Sequence, residues 1–261
     1  LIKALKLSQN PYYLIGADIT PVSRGFSFVH DKYVLPPASD PNYVESLVEV
    51  CKKAKADVLF TGSEPELKRV SDVQDQIRNE GIFLPMNPKS VIDICMDKSK
   101  TMDFLQSNGF SFPKTKTVTK QEDLREITTF PVVLKPSIGG GGSANTFIAQ
   151  DQKELELFGN WMLNIYPRFI IQEYVGNADC EYTVGVLSDM EGVLINSIAV
   201  KKNILSALSN RLKIRSRYSD ELLVISNGIS QGQIGRFPEV TSQCEVIAQK
   251  IGSRSAVNIQ L

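Results

Sequence analysis

The chain has a single histidine, His30, among its 261 residues, and one histidine cannot build a His-based metal centre. Its four cysteines, Cys51, Cys95, Cys180 and Cys244, lie far apart with no C-x-x-C pair, so neither a zinc site nor a disulfide framework is suggested. Net charge is also absent. Lys+Arg and Asp+Glu number 29 each, without the basic excess usual in nucleic-acid binders. No apolar run approaches the roughly 18 residues that span a bilayer, and the N-terminal stretch lacks the long apolar core of a secretory signal. The expectation is a cytoplasmic, soluble protein with neither nucleic acid nor membrane as a partner. Hydrophobic residues make up 42% and charged residues 22%, ordinary globular values that exclude disorder and collagen-like repeats. Any chemistry must rest on Lys, Arg, Glu, Asp, amides and the backbone.

At roughly 100–200 residues per domain, the length allows one large domain or two small ones. Both ends read as cut: Leu1 opens inside LIKALKL, and Leu261 stops in the strand-like AVNIQL. The segments 12–19, 33–37 and 57–62 read as short strands. Between them Val44, Leu47, Val48 and Cys51 follow helical spacing. A further helix carries Leu67, Val70, Val73 and Ile77 on one face, with Gly81 past its end. This alternation argues for βαβ units and a parallel sheet. The loop Thr61–Glu66 has two readings, a ligand loop at a strand's carboxyl end or a helix cap. Asn87-Pro88 opens the next helix, and Asp97 caps another that Gly109 stops. The pattern then changes to strands at 114–118, 130–136, 145–150, 168–174, 181–187 and 193–200, with SDMEG (188–192) as a hairpin turn. Thr119-x-x-Glu122 is a capping box. One helix from Asp151 to about Leu163 turns Leu155, Phe158 and Met162 inward, and a last one carries Val240, Cys244, Ile247 and Ile251. Cys51 and Cys244 are expected as buried thiols, and His30, in FVHDKYV, suits a strand edge. The sequence thus predicts a parallel α/β domain to about residue 90, then an α+β domain with antiparallel sheets.

The strongest local signal is VVLKPSIGGGGSAN (132–145). Four consecutive glycines, Gly139, Gly140, Gly141 and Gly142, carry a high ordering cost, and such a loop is useful where N–H groups must close around an anion. A P-loop would end in G-K-[ST], whereas this loop ends in Ser143-Ala144-Asn145. A dinucleotide fingerprint should open a helix, and β-like NTFIA follows instead. A glycine flap over nucleotide phosphates and a plain hairpin loop remain. Lys135 favours the flap. It ends an apolar strand immediately before the loop, where a lysine must snorkel or meet an anion. Lys98 lies upstream at a helix start. Glu173 and Glu181 flank a turn at Gly176, and by themselves read as solvated acids on a strand–turn–strand. In NRLKIRSRY (210–218), Arg211, Lys213, Arg215 and Arg217 alternate, so a strand places all four on one face. That face is either solvated or a cationic wall for a substrate, a role open to Lys201 and Lys202 as well.

The ordered series Asp97-Lys98, Phe130-Pro131-x-x-x-Lys135-Pro136 with its glycine loop, Gln172-Glu173-Tyr174-Val175 with Glu181, and Asn258-Ile259-Gln260 resembles the ATP-grasp superfamily. It most resembles the ATP-grasp half of the carbamoyl-phosphate synthetase large subunit and its stand-alone relatives. The resemblance implies an α/β pre-ATP-grasp, Rossmann-like domain (1–90, without its first strand), then an α+β ATP-grasp domain (91–261). The latter would hold a small glycine-flap subdomain at about 112–172 and a larger one from 173, incomplete at the C-terminus. It implies ATP and Mg2+ as cofactors: Lys98 and Lys135 on the phosphates, Gly139 to Ser143 as the flap, Glu173, Tyr174 and Val175 at the adenine hinge, Glu181 on the ribose hydroxyls, and Gln260 facing the metal. Arg215 and Lys201 are the candidate catalytic cations. The family's main metal-binding Glu and Asn would lie in a strand after NIQ, so turnover would depend on ligands outside these residues. The implied activity is a carboxylate–amine ligase that makes an acyl phosphate and releases ADP, acting on small-molecule carboxylate and amine substrates. A homodimer is the candidate assembly. An ATP- or ADP-binding module without turnover is the alternative, and a dinucleotide-binding oxidoreductase would need a helix directly after Ala144.

Overall fold

The computed structural model describes residues 1–261, which divide into two compact units, Leu1–Lys89 and Ser90–Leu261. In the first, helix α1 (Ile2–Lys6) precedes strands β1 (Ile15–Asp18) and β2 (Asp31–Val34), which pair in parallel with Ile15 opposite Asp31. His30 stands at the entry to β2. Its N–H donates to Leu14 O, its Nδ1 accepts the Leu14 N–H at 2.8 Å, and its ring stacks on Tyr13. Helix α2 (Tyr43–Ala54) buries Val44, Leu47, Val48 and Cys51, the stripe its spacing predicts.

Two expectations change in this unit. The 57–62 run forms no ladder and contributes one parallel bridge, Val58 to Phe83. With Val58 and Phe60 at 44% and 46% exposure, it lacks the two-sided burial that sustains a parallel strand. The single helix expected next is two, α3 (Glu64–Ser71) and α4 (Gln74–Asn79), broken where Val73 takes φ −129° and ψ 24°. At the break the Ser71 hydroxyl donates to Lys68 O at 2.7 Å, a local bond that competes with helix continuation. The Thr61–Glu66 loop forms the helix cap. Ser63 Oγ accepts the Glu66 N–H, and the Glu66 carboxylate accepts from Gly62 N–H and the Ser63 hydroxyl.

Helix α5 (Lys89–Cys95) leads to α6 (Lys98–Ser107), capped by Asp97 and followed by Gly109 at φ +73°. Strands β3 (Thr115–Val118), β4 (Val132–Pro136) and β5 (Phe147–Ala149), helix α7 (Gln152–Ile165) and strand β6 (Phe169–Glu173) follow. The four strands form an antiparallel sheet in the order β3-β6-β4-β5. Leu155 and Met162 of α7 pack on Val118, Leu134, Phe169 and Ile171. The expected capping box falls one residue later, because Asp123 rather than Glu122 accepts the Thr119 and Lys120 N–H groups.

Strands β7 (Tyr182–Ser188) and β8 (Leu194–Lys202) form the expected hairpin. Strands β9 (Asn210–Arg215) and β10 (Leu222–Ser226) pair with each other, and β11 (Gly232–Gly235), helix α8 (Pro238–Ile251) and β12 (Ala256–Gln260) complete the chain. The second four-stranded sheet runs β11-β8-β7-β12. Helix α8 covers one of its faces, with Cys244 and Ala248 against Val184, Val186 and Ala199. Strands β10 and β11 are additions to the sequence-based reading. The fold classes expected for the two halves, parallel α/β and then antiparallel α+β, are those observed.

Candidate functional site

The glycine loop joins β4 to β5, and Lys135 is the penultimate residue of β4. Gly139, Gly140 and Gly142 take φ of +75°, +78° and +64°, a left-handed region that a Cβ would strain. A Cβ at Gly140 would also lie 3.2 Å from Ala144 O. No α-helix follows the loop. Strand β5 does, which removes the dinucleotide fingerprint on its own terms. Two lysines meet at the root of the loop. Lys98 Nζ donates to Gly139 O at 3.0 Å, and Lys135 Nζ donates to Gln172 Oε1 at 2.7 Å. Burial lowers the Lys135 ammonium to a pKa of about 8, and the positive charge of Lys98 adds to the fall while Glu181 opposes it. Lys135 is thus a buried ammonium held by a neutral amide, with the positive charge of Lys98 near it.

Glu181 precedes β7, and its Oε1 accepts from Lys202 Nζ at 2.7 Å and from the Ser226 hydroxyl at 2.6 Å. Lys202 is 3% exposed, and its N–H donates to Glu181 O, so the two residues lie opposite each other on neighbouring strands. The next row of the same sheet face holds Thr183, opposite both Val200 and Gln260. Gln260 therefore shares a face with Glu181 and Lys202, away from α8. The structure does not bring Lys201 there. It is next to Lys202 in a strand, so it points to the opposite face, where its Nζ lies 6.0 Å from the Tyr182 ring centroid. Sequence reasoning named both lysines and took Lys201 as the catalytic candidate; the one on the Glu181 face is Lys202.

At the hinge, the Glu173 and Tyr174 side chains both bond the backbone of other segments. Glu173 Oε1 accepts the Lys114 N–H at 2.8 Å. The Tyr174 hydroxyl accepts the Val224 N–H at 2.8 Å and donates to Val224 O, so its ring joins Leu212, Ile214, Leu223 and Ile225. Val175 is different: it is 57% exposed, and no hydrogen bond within the chain engages its backbone. Arg215 lies away from Glu181. It ends β9 opposite Leu222, whereas Ser226, which touches Glu181, pairs with Asn210 at the other end. Five residues of strand put these ends roughly 16 Å apart. Arg211, Lys213 and Arg215 form an exposed row, and Arg217 leaves it to pair with Asp151 and Glu154.

Nowhere do three or more His, Cys, Asp or Glu side chains converge to hold a metal ion. No helix is long and apolar enough to cross a membrane. Two concavities of about 430 and 350 Å³ in the first unit share His30 in their linings and contain none of the residues above.

A PylC-like, N-terminal domain matches residues 1–84, and an ATP-grasp domain matches residues 95–234. The carbamoyl phosphate synthase large chain of Pseudothermotoga lettingae is 28% identical over 163 residues, 60% of this chain and 14% of that protein. The D-alanine–D-alanine ligase of Anaplasma marginale is 33% identical over 91 residues, 34% of this chain and 27% of that protein. The chain thus matches well under half the length of either relative. The crystal structure of a biotin carboxylase–βγ-ATP complex from Campylobacter jejuni superposes with a TM-score of 0.65 at 16% identity, covering 94% of this chain and 55% of that one; at that identity the likeness is one of fold. With more than half of its residues matched by the ATP-grasp domain, the chain belongs to the ATP-grasp family.

Proposed function

We propose that this chain is the nucleotide-binding part of an ATP-dependent ligase of the carboxylate–amine type. The observation that carries the reading is the pair of lysines at the root of the glycine loop, where Lys135 sits well below its ordinary pKa beside Lys98. A polyphosphate relieves both the desolvation and the repulsion. The glycine loop supplies N–H groups and closes without a side chain in the way. Glu181 spends Oε1 on Lys202 and Ser226, which leaves Oε2 to accept from ribose hydroxyls, and the free backbone of Val175 suits an adenine edge. These residues fit ATP. Lys202 replaces Lys201 as the cation of the site.

The reaction class rests on kinship with ligases such as D-alanine–D-alanine ligase. ATP would supply a phosphoryl group to a substrate carboxylate, so that an amine can displace phosphate and form an amide. The lysines would neutralise charge spreading over the transferring group, and the loop would exclude water. Magnesium has no ligand set among these residues: Gln260 offers one neutral amide, and no acidic cluster stands beside it. No step here is routed through it.

Calorimetric titration with ATP tests the site, with micromolar affinity, roughly −8 kcal/mol, expected. Lys135→Ala should weaken binding by more than about 1 kcal/mol with the fold intact. Unchanged affinity removes Lys135 from the site. ADP release is then followed with a panel of acids and amines, and ATP binding without release under any pair assigns the chain to a nucleotide-binding module instead.

A further inference from the structure

Lys98 belongs to α6 and Lys135 to β4, yet the site needs them side by side. We infer that the buried carboxylate of Asp97 is the positioning residue that fixes Lys98 against the root of the glycine loop, an inference that rests on the nucleotide reading above for its functional consequence. Asp97 is 3% exposed, and its two oxygens take donors from three separate elements. Oδ1 accepts the Ser99 N–H at 3.0 Å, which caps α6, and the Ser137 hydroxyl at 2.6 Å, two residues beyond Lys135. Oδ2 accepts from the Arg168 guanidinium at the entry to β6. The backbone reinforces the joint. Lys98 N–H donates to Ser137 O at 2.8 Å, and Asp97 bridges Ile138 in antiparallel fashion. Only then does Lys98 Nζ reach Gly139 O.

A helix cap alone needs one oxygen and would be served equally by asparagine. Here every partner is a donor, and one of them is a guanidinium, so both oxygens must accept. Asparagine with its oxygen at Oδ1 would keep the cap and turn its NH2 against Arg168. The result is a helix start that still forms and is no longer registered against the loop. Asp97 touches no nucleotide in this scheme and acts through Lys98.

The test uses the 261-residue chain. Asp97→Asn and Ser137→Ala are each combined with Lys98→Ala, and ATP affinity is measured by calorimetry. Asp97→Asn alone should bind ATP roughly tenfold more weakly, and in the Lys98→Ala background it should have no further effect, the non-additivity of residues that act through one another. Additive losses overturn the inference. Ser137→Ala leaves no unpaired charge and keeps the test open if Asp97→Asn fails to fold; it should show the same coupling. Amide hydrogen exchange of the free protein supplies a readout that needs no nucleotide. Asp97→Asn should speed exchange both at residues 98–101 and in the loop 138–143, and a change confined to the helix start overturns the inference in favour of a simple cap. Loop exchange that responds while the unmutated chain binds no ATP would sustain the joint and refute the nucleotide reading.

Discussion

Proton uptake on nucleotide binding is the sharpest consequence of the site. Lys135 falls from 10.5 to about 8, mainly through burial and then through Lys98. A phosphate against it reverses both causes, so the bound form holds its proton well above pH 8. Only a protonated lysine welcomes the anion. At pH 8 the free protein therefore carries about half a proton at Lys135, and binding draws in the other half, rising toward one at pH 9. The affinity for ATP should consequently fall roughly tenfold between pH 7 and pH 9. The nucleotide's own phosphates are fully ionised at pH 8 and above and do not disturb the count.

The assay is calorimetric titration at pH 8 and pH 9 in pairs of buffers that differ in ionisation enthalpy, the slope giving protons taken up. Lys135→Arg is the discriminating variant, because arginine stays charged throughout. It should bind with no uptake and no loss of affinity toward pH 9. Uptake that persists in Lys135→Arg, or affinity flat from pH 7 to pH 9 in the parent protein, refutes the reasoning. The same group sets a stability slope with a definite sign. Between about pH 8 and 10.5 the unfolded chain binds the Lys135 proton and the folded chain does not, so stability rises with pH in that window. Below pH 8 the desolvation penalty is fully present. Lys135→Met should therefore stabilise the nucleotide-free protein at pH 7, by at most about 3 kcal/mol, with the gain shrinking toward pH 10.5.

Three substitutions probe the scaffold by urea or thermal unfolding. Glu181→Gln strips the buried Lys202 of its countercharge and should lower stability by about 3 kcal/mol; a loss below about 1 kcal/mol would refute a structural role for the pair. Gly159→Ala drives a Cβ to 2.7 Å from Leu124 Cδ1 and 2.8 Å from Cδ2, inside the core under α7, and should cost about 1–3 kcal/mol by overpacking. Tyr174→Phe orphans both the N–H and the C=O of Val224 and should cost about 1–3 kcal/mol, with ATP affinity little changed because the ring already faces the core.

Elements that bury one clear stripe were legible in the sequence. Helices α2 and α7 carry their apolar residues at helical spacing, and the β7–β8 hairpin is framed by the turn SDMEG. What was not legible depends on bonds rather than on periodicity. Val70, Val73 and Ile77 keep helical spacing across a break at Val73, beside which the Ser71 hydroxyl bonds back to Lys68 O. Strand β11 reads GQIG, too short and too glycine-rich for any pattern, and exists because β8 offers it an edge. A Cβ at Gly232 would come 1.9 Å from Lys201 O, so the residue that hides the strand from inspection is the one that lets it pair.

The same distinction runs through the site. Residue types were readable: a lysine before a glycine run, and acids on either side of a turn. Their directions were not. Lys201 and Lys202 are adjacent and chemically identical, and the choice between them turns on the parity of β8, which is set by Ala199 packing under α8. Once Ala199 faces the helix, Lys201 must follow it and Lys202 must face Glu181. Likewise Glu173 and Tyr174 have the composition of a ligand hinge, but Glu173 Oε1 accepts from Lys114 and the Tyr174 hydroxyl is held by Val224, while the backbone of Val175 has no partner within the chain. A motif names the chemistry available at a position; which atoms remain free to perform it is decided by partners far away in the chain.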